Sequence, residues 1–254
     1  MSAAALGLDV RRADDRDKTA ISWLDSAHSF SFGGHYHPDN THFGVLLVNN
    51  DDRVAPGTGF ETHPHRDMEI ITWVLSGQLV HQDSEGHNGL IHPGLAQRMS
   101  AGTGILHSEK NDSGTRAGTL QTPEPVHFVQ MWVVPDTPGI APAYEQLDVT
   151  AELDRGGLVP VASGLPRHAG AAAISIANKY AALHVGRLAE GDTVSLPNSP
   201  YAHVFIARGS LDLEGAGRLQ EGDAVRVTAA QGQRLTAAQG PAEVLIWEMH
   251  ATAA

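Results

Sequence analysis

The chain has 254 residues, a formal net charge of −12 and no cysteine. This length is enough for one large domain or two smaller ones, each with a substantial core. Without cysteine the chain cannot form disulfides, iron–sulfur clusters or thiolate zinc sites, so any metal must bind to His, Asp or Glu. The acidic balance argues against a nucleic acid partner, and no apolar run is long enough to span a membrane.

The first residues, 1–19, carry charges of both signs and only a short run of small residues. Neither a secretory signal nor an arginine-rich transit peptide has this composition. We therefore expect a soluble, cytoplasmic protein without direct contact to nucleic acid or membrane.

Short strands are the predicted elements along the whole chain. Apolar or alternating runs of five to nine residues are separated by Gly and Pro clusters, and they include FGVLLVNN, EIITWVLSG, VHFVQMWVV, YAALHVGRL, YAHVFIARG and AEVLIWEM. The most helix-like stretch is 142–147, and the best candidate linker is 135–142. Many short strands with little helix predict an all-β sandwich or barrel.

The two halves of the chain also resemble each other. Residues 59–79 align without a gap on 191–211, and residues 93–109 align on 221–237, with several glycines matched. Such self-similarity predicts two similar barrels in one chain.

The sharpest local feature is an HxH pair, His63 and His65, directly before the run EIITWVL. Alternate residues of an extended strand share a face, so two imidazoles can reach one ion. A second pair with the same spacing, His107 and Glu109, follows a glycine-containing turn. Three imidazoles and one carboxylate form a donor set that suits Fe(II), Ni(II), Mn(II) or Cu(II).

These residues resemble the two sequence patterns of the cupins. The positions that resemble the first pattern are Gly57, His63, His65, Glu69 and Gly77, with one extra residue before the last glycine. Those that resemble the second are Gly102, Gly104, His107 and Asn111, with Gly in place of its proline. Within the cupins, the runs at 23–40 and 63–109 resemble the pirin family, densely in the first half of the chain and only architecturally in the second.

The resemblance to pirins implies two jelly-roll cupin barrels, residues 1–136 with the metal site and residues 137–254 without one. It places the iron ligands on His63, His65, His107 and Glu109. One divalent transition metal per chain is expected, Fe(II) above all, with Ni, Mn, Cu or Zn as alternatives. In the second half, the aligned positions are Ser195, Pro197, Leu235 and Ala237, which do not supply such ligands.

Two charged neighbours of the ligands need separate interpretation. Glu69 occupies the ligand position of ordinary cupins, and we expect it to orient a ligand or water rather than bind the metal. Arg66 either holds Glu109, binds an anionic substrate or forms a surface ion pair.

The remaining histidines and tryptophans receive less specific predictions. His35 and His37 form a second HxH in a Gly/Pro loop, where we expect a surface loop that at most lines the mouth of a pocket. Solvated hairpin residues are expected at His81, His87 and His92. Core packing is expected for Trp73, Trp132 and Trp247.

Bacterial pirin-like proteins include quercetin 2,3-dioxygenases, so the resemblance implies an oxidoreductase that cleaves a flavonol with O2 and releases carbon monoxide. In this interpretation Glu109 also takes the proton of the flavonol 3-hydroxyl. The alternative is an iron-containing, redox-responsive regulatory protein that binds transcription factors or metabolic enzymes. The metal residues are the same in both cases, so the sequence leaves both hypotheses open.

Overall fold

Short β-strands make up almost all regular structure in the computed structural model, which describes residues 5–112, 124–170 and 174–253. Among these residues the one α-helix is a single turn, Thr150–Leu153 (α1). The predicted all-β fold with little helix is confirmed. No helix in the described ranges is long and apolar enough to cross a membrane, and the cytoplasmic location stays a prediction.

The strands of the first half are Gly7–Arg11 (β1), Asp17–Ala20 (β2), Leu24–His28 (β3), Leu46–Val54 (β4), Gly59–His65 (β5), Glu69–Ser76 (β6), Leu79–Asp83 (β7), Asn88–Ile91 (β8), Leu95–Ser100 (β9), Ile105–Lys110 (β10) and Val126–Val133 (β11). The strands of the second half are Ala143–Asp148 (β12), Leu158–Ser163 (β13), Ile174–Ser175 (β14), Ala181–Leu188 (β15), Thr193–Ser195 (β16), Ser199–Arg208 (β17), Ser210–Leu213 (β18), Gly217–Gln220 (β19), Ala224–Ala230 (β20), Arg234–Thr236 (β21) and Ala242–Met249 (β22).

The four sheets form two barrels with the same topology. The first barrel combines the sheets β12-β9-β6-β11-β4-β3-β2 and β5-β10-β7-β8, and the second combines β1-β20-β17-β22-β15-β13-β14 and β16-β21-β18-β19. Position by position the two orders correspond, and each barrel pairs a seven-stranded sheet with a four-stranded one. The internal repeat predicted two similar barrels, and the resemblance to pirins implied their jelly-roll type; the two-barrel architecture is confirmed.

The two barrels exchange their edge strands. β12 follows the predicted linker but pairs with β9 of the first barrel, whereas β1, near the start of the chain, pairs with β20 of the second. The stretch 142–147 was therefore wrongly predicted as helix-like, because pairing at the sheet edge overrides its local preference. A division of the chain at residue 136 would place β1 with the first barrel and β12 with the second, whereas each strand pairs with the other barrel. The division into two domains at this residue stays a prediction.

The outer faces of the two large sheets pack against each other through a shared apolar core. Trp73, Ile71 and Met131 of the first barrel lie in this core with Phe205 and Trp247 of the second, all at most 1% exposed. Burying an apolar side chain of this size contributes about 1.5–3 kcal/mol. The predicted core packing of Trp73 and Trp247 is confirmed. Because the barrels meet through the outer faces of their large sheets, the interior of the first barrel faces away from the second.

Candidate metal centre

Neighbouring strands of the small sheet bring three histidines together. β10 pairs with β5 in antiparallel register, which places His107 opposite His63 and Ile105 opposite His65. The three imidazole rings lie with their centroids 4.5 to 4.9 Å apart. Their closest ligand nitrogens all lie within 4.8 Å of one another, so one ion has room to contact all three.

Glu109 follows a β-bulge in β10. The register shifts between His107 and Glu109, which places Glu109 opposite Phe60, and such a bulge re-aims the side chains that follow it. The two backbones approach so closely here that a Cβ at Gly59 would lie 2.2 Å from the carbonyl oxygen of Glu109. Glycine is therefore required at position 59.

Two neutral side chains hold the Glu109 carboxylate. Thr72 Oγ1 donates to Oε1 at 3.3 Å, and Gln130 Nε2 donates to Oε2 at 2.6 Å. The indole Nε1 of Trp132 donates in turn to Gln130 Oε1 at 3.0 Å. Because Glu109 is only 2% exposed, these bonds fix its orientation.

The imidazoles fit a metal ion, because the side chains present the right atoms in the right protonation state. Nε2 of His65 and Nε2 of His107 are buried and have no hydrogen-bond partner among the described residues. Burial, and then the charges of His107 and His63, lower the pKa of His65 to about 4. Burial, and then the charges of His63 and His81, lower the pKa of His107 to about 3. Neutral, unpartnered nitrogens of this kind are what a divalent transition metal requires.

Hydrogen bonds at the far side of the rings select the tautomers. Nδ1 of His63 lies 2.7 Å from the carbonyl oxygen of Glu61, which can only accept, so its Nε2 keeps a free lone pair. Nε2 of His81 lies 3.3 Å from Asp83 Oδ2, so His81 carries its proton there and accepts at Nδ1. His107 Nδ1, at 3.4 Å, donates to that atom, which frees Nε2 of His107 for a metal.

His81 is not the solvated hairpin residue that the sequence predicted, because it is fully buried beside His107. His87 and His92 are partly exposed, with 39% and 36% of their side chains accessible. His81, His107 and Glu109 form a second group whose ligand atoms lie within 4.8 Å of one another. Two candidate ligand sets thus share His107.

The hydrogen bonds of Glu69 lead to the second barrel. Glu69 Oε2 accepts from the backbone nitrogen of Ala177 at 2.9 Å and lies 4.0 Å from Arg98 Nε. Burial raises the pKa of this carboxyl. These contacts place Glu69 at the junction of the barrels, so its expected role beside the metal stays a prediction.

Arg66 is 72% exposed and lies 3.4 Å from Asp67, as a surface ion pair. Of the three predicted roles, this is the contact that the structure contains. His37 lies in a loop and contacts Asp17 at 2.9 Å, and His35 lies 3.8 Å from the same carboxylate.

A cavity of about 770 Å³ opens beside the histidines, and both His65 and Glu109 line it. Its apolar walls are aromatic. Trp23 and Phe60 meet edge to face at 5.2 Å, Phe32 and Trp132 at 5.5 Å, and Trp132 also meets the His65 ring at 4.8 Å. Trp132 is partly buried, packs against the apolar cluster of Ile70 and Met99 and also forms part of the cavity wall, so the prediction of core packing is confirmed only in part.

A buried carboxyl, Asp52, also lines the cavity and was not predicted from the sequence. Burial, together with the charges of Asp51 and Glu109, raises its pKa to about 7, and Oδ1 has no partner among the described residues. Gln130 was missed as well. Gln130 is a polar residue within a largely apolar strand, and that contrast is the signal that could have identified it. Asp52 lies in the polar run NNDDR of β4, where no such contrast marks it.

The structure thus defines a protein of two cupin barrels with a histidine-rich cluster in the first that could hold a metal ion. Residues 9–133 match the family described as Pirin, and residues 160–249 match the one described as Quercetinase C-terminal cupin domain. A Mycobacterium tuberculosis protein named "Putative quercetin 2,3-dioxygenase Rv0181c" is 60% identical over 244 residues, 96% of each chain. The chain belongs to the pirin family.

Two Escherichia coli proteins extend the comparison. The K12 protein named "Quercetin 2,3-dioxygenase" is 47% identical over 137 residues, which are 54% of this chain and 56% of that protein. The crystal structure of bacterial pirin YhhW in complex with nickel(II) is 30% identical and superimposes with a TM-score of 0.83, covering 97% of this chain and all of the other. The second match extends the likeness over both barrels.

Proposed function

We propose that this protein is a metal-dependent dioxygenase that cleaves a flavonol such as quercetin with O2. The observation that carries the proposal is the cluster of three imidazoles, two of which, His63 and His65, line an aromatic-walled cavity of about 770 Å³. Cavities of about 300–1,000 Å³ with apolar walls and few polar groups are typical of small-molecule sites. The names of the relatives support the same substrate class.

His63, His65 and His107 are the residues that would hold the metal, with Glu109 as the fourth ligand. The donor set favours Fe(II), and nickel(II) is compatible with it, as in the related YhhW structure. When bound, such a metal supplies Lewis acidity and brings a coordinated substrate oxygen and O2 together. The buried, unpartnered nitrogens described above support this ligand assignment.

The aromatic walls bind and orient the substrate. Planar rings prefer edge-to-face or offset contacts at centroid distances of about 4.5–7 Å, and Trp23, Phe60 and Trp132 present such surfaces to the cavity. A flavonol held between them would displace water from these rings. These walls therefore favour a flat aromatic substrate.

Glu109 is the proposed base for the flavonol 3-hydroxyl proton. Its oxygens already accept hydrogen bonds from Thr72 and Gln130, which aim the carboxylate and leave further lone pairs for a proton. Asp52 shares the cavity and is half protonated near neutral pH because its pKa is about 7. It is the residue to which Glu109 can pass the proton, directly or through water.

The decisive experiment loads the protein with Fe(II) without oxygen and then adds flavonol and air. We expect flavonol loss, O2 uptake and carbon monoxide release in equal amounts, abolished by a chelator and restored by iron. Glu109→Gln should keep most of its metal through the three imidazoles while turnover falls about 100-fold or more. His92→Ala, at an exposed histidine, serves as the control.

A fully metallated protein that consumes no flavonol would contradict the dioxygenase proposal. That result would favour the regulatory alternative, in which the iron is a sensor and Glu109 has no catalytic role.

A further inference from the structure

A second cavity, of about 670 Å³, lies where the two barrels meet. The chain segment around β1, the loop that ends at Asn40, and strands β17 and β20 contribute to its wall. We call it the junction cavity. The three imidazoles of the metal centre do not line it.

The floor of the junction cavity contains a buried guanidinium without a counter-ion. Arg226 is 6% exposed, and its Nη2 donates to the carbonyl oxygen of Ser29 at 3.1 Å and to Asn40 Oδ1. Its guanidinium also covers the Phe30 ring at 4.6 Å. Among the described residues no carboxylate forms an ion pair with it, and its Nε has no hydrogen-bond partner. Buried charges in proteins are normally paired.

His203 lies directly beside Arg226, because the two are cross-strand neighbours in β17 and β20. It is 1% exposed, and neither ring nitrogen has a partner in the described part of the chain. Burial, and then the charges of Arg226 and Arg16, lower the pKa of His203 to about 3. The ring is therefore neutral and offers one unused N–H donor to the cavity.

Arg16 adds a third basic group to the same wall. Its side chain is 8% exposed and pairs with Asp51 at 3.2 Å, while its Nε has no partner among the residues described. Burial of a fixed cation next to a second one is unfavourable unless negative charge lies nearby. Asp51 supplies this charge for Arg16, whereas Asp9 acts on Arg226 electrostatically without forming an ion pair with it in the described part of the chain.

The carboxylates at the cavity form no ion pair with Arg226 among the described residues, although Asp9 is its cross-strand neighbour in β1 and acts on it electrostatically. Asp9 pairs with Arg11 at 2.8 Å, and Asp17 contacts His37 at 2.9 Å. The other two, Asp15 and Asp39, are exposed to solvent. The carboxylates at the rim are thus paired or exposed to solvent. The charge without an ion-pair partner among the described residues is the positive charge of Arg226 at the floor of the cavity.

We propose that the junction cavity binds a small oxyanion, a carboxylate or phosphate group, which the Arg226 guanidinium and the His203 N–H hold together. Nη2 of Arg226 already donates to Ser29 and Asn40, so its unpartnered Nε–H and the N–H of His203 are the donors that would meet the oxygens of such a group. The cavity is larger than one oxyanion, so it also accommodates a small organic body that carries the group. This site is separate from the proposed dioxygenase centre and does not depend on it.

The test measures the unfolding midpoint of the metal-loaded protein in phosphate, acetate and chloride at equal ionic strength. Phosphate at about tenfold above its dissociation constant should raise the midpoint by about 3–6 °C relative to chloride. A larger response to acetate than to phosphate identifies the ligand group as a carboxylate, and the reverse identifies it as a phosphate. No response to either anion beyond that to chloride overturns the proposal.

Paired variants locate the response. Arg226→Met should abolish it, and its midpoint in chloride should equal or exceed that of the wild type, because an unpaired buried charge is removed. Arg234→Met, at a guanidinium that is 69% exposed and pairs with Glu214, should respond as the wild type does. Equal responses in both variants overturn the proposal, and a response that His107→Ala alone removes assigns the anion to the metal centre instead.

If Arg226→Met does not fold, His203→Leu and calorimetric titration of the wild type with phosphate replace it. His203→Leu should weaken phosphate binding at least several-fold. Unchanged affinity in this variant, or no heat of binding in the wild type, overturns the proposal.

Discussion

The two barrels have the same order of strands, but the first encloses a cluster of histidines and the second encloses an apolar core. In the first barrel, the pair of strands β5 and β10 presents His63 opposite His107. In the second, the corresponding strands β16 and β21 present Val194 opposite Leu235. Leu235 is fully buried in a core made only of Leu, Val, Ile and Ala residues. The same order of strands thus accommodates either a cluster of candidate metal ligands or an apolar core, depending on a few side chains.

The interior of the first barrel contains buried polar atoms without partners, whereas the interior cluster of the second is apolar. The apolar contacts inside the first barrel are divided into two small clusters, and buried polar atoms such as His107 Nε2 and Asp52 Oδ1 lack partners among the described residues. Each such group costs about 1–3 kcal/mol. The interior of the second barrel therefore contributes more to stability than the interior of the first.

The largest expected effect is the loss of metal from His107→Ala, because both candidate ligand sets contain this ring. Elemental analysis should find about one ion per chain in the wild type and none in the variant. His92→Ala should retain the full amount. Two tightly bound ions per wild-type chain would contradict the assignment of a metal-free second barrel.

The same position in the second barrel should respond in the opposite way. Leu235→Ala should lower the free energy of unfolding by about 2–5 kcal/mol, because it leaves a cavity in a close-packed core, and should leave the metal content unchanged. Denaturant unfolding measures the loss. Leu147→Ala, at a leucine that is 50% exposed, is the matched control, and an equal effect there would show that the buried core is not the cause.

Asp52 makes the stability of the first barrel depend on pH. Its pKa is raised to about 7 in the folded chain, so between its unfolded value and pH 7 the native state binds a proton that the unfolded state has lost. Stability from this group is therefore present at low pH and falls as the pH rises.

Between pH 5 and 7 the expected loss is about 2–3 kcal/mol. Asp52→Asn should remove this component, so the difference in unfolding free energy between the two metal-free proteins should change with pH by that amount. A difference that is independent of pH would show that Asp52 ionises in the folded protein as it does in the unfolded one.

A substitution at His81 distinguishes between the two candidate ligand sets, because only one of them contains this residue. His81→Phe removes the acceptor for His107 Nδ1 while keeping a ring beside Tyr144, and we expect metal affinity to fall about 10- to 100-fold. Competition with a chelator measures this change. His87→Phe, at a ring that contacts Asp83 but not His107, is the control. If His81→Phe loses all metal, as His107→Ala should, then His81 is itself a ligand.

The smallest effect is expected for Glu69→Gln. The Glu69 carboxylate accepts from Ala177 of the second barrel, so metal affinity should change less than about twofold, well below the loss caused by a side chain that orients a ligand. Chelator competition again provides the measurement. A loss of tenfold or more would return Glu69 to the metal centre.

The sequence predicted the all-β, two-barrel architecture better than the environment of individual side chains. Gly-punctuated apolar runs and the internal repeat were sufficient for two all-β barrels, and the HxH spacing was sufficient for the histidine cluster. The alignment, however, matched His63 with Ser195, whereas the strand pairing makes Val194 its counterpart. A slip by one residue reverses the face of a strand, and a gapless alignment anchored on glycines does not detect it.

Other features depend on tertiary contacts that no local pattern contains. His81 lies next to a solvent-exposed turn in sequence, yet its pairing with Glu109 across the sheet carries it into the interior. Glu69 lies beside the histidines in sequence, yet its side chain meets the second barrel. A partner strand decides the environment of His81, and a loop of the second barrel decides that of Glu69.

The exchange of edge strands has a consequence for how the chain folds during synthesis. β1 leaves the ribosome first but pairs with β20, so it must wait unpaired until most of the chain has been made. The first barrel likewise acquires its outer strand, β12, only after the linker has emerged. Contacts between such distant residues slow folding and leave unpaired strand edges accessible to other chains. Nascent chains of this protein are therefore most prone to aggregation before β20 appears.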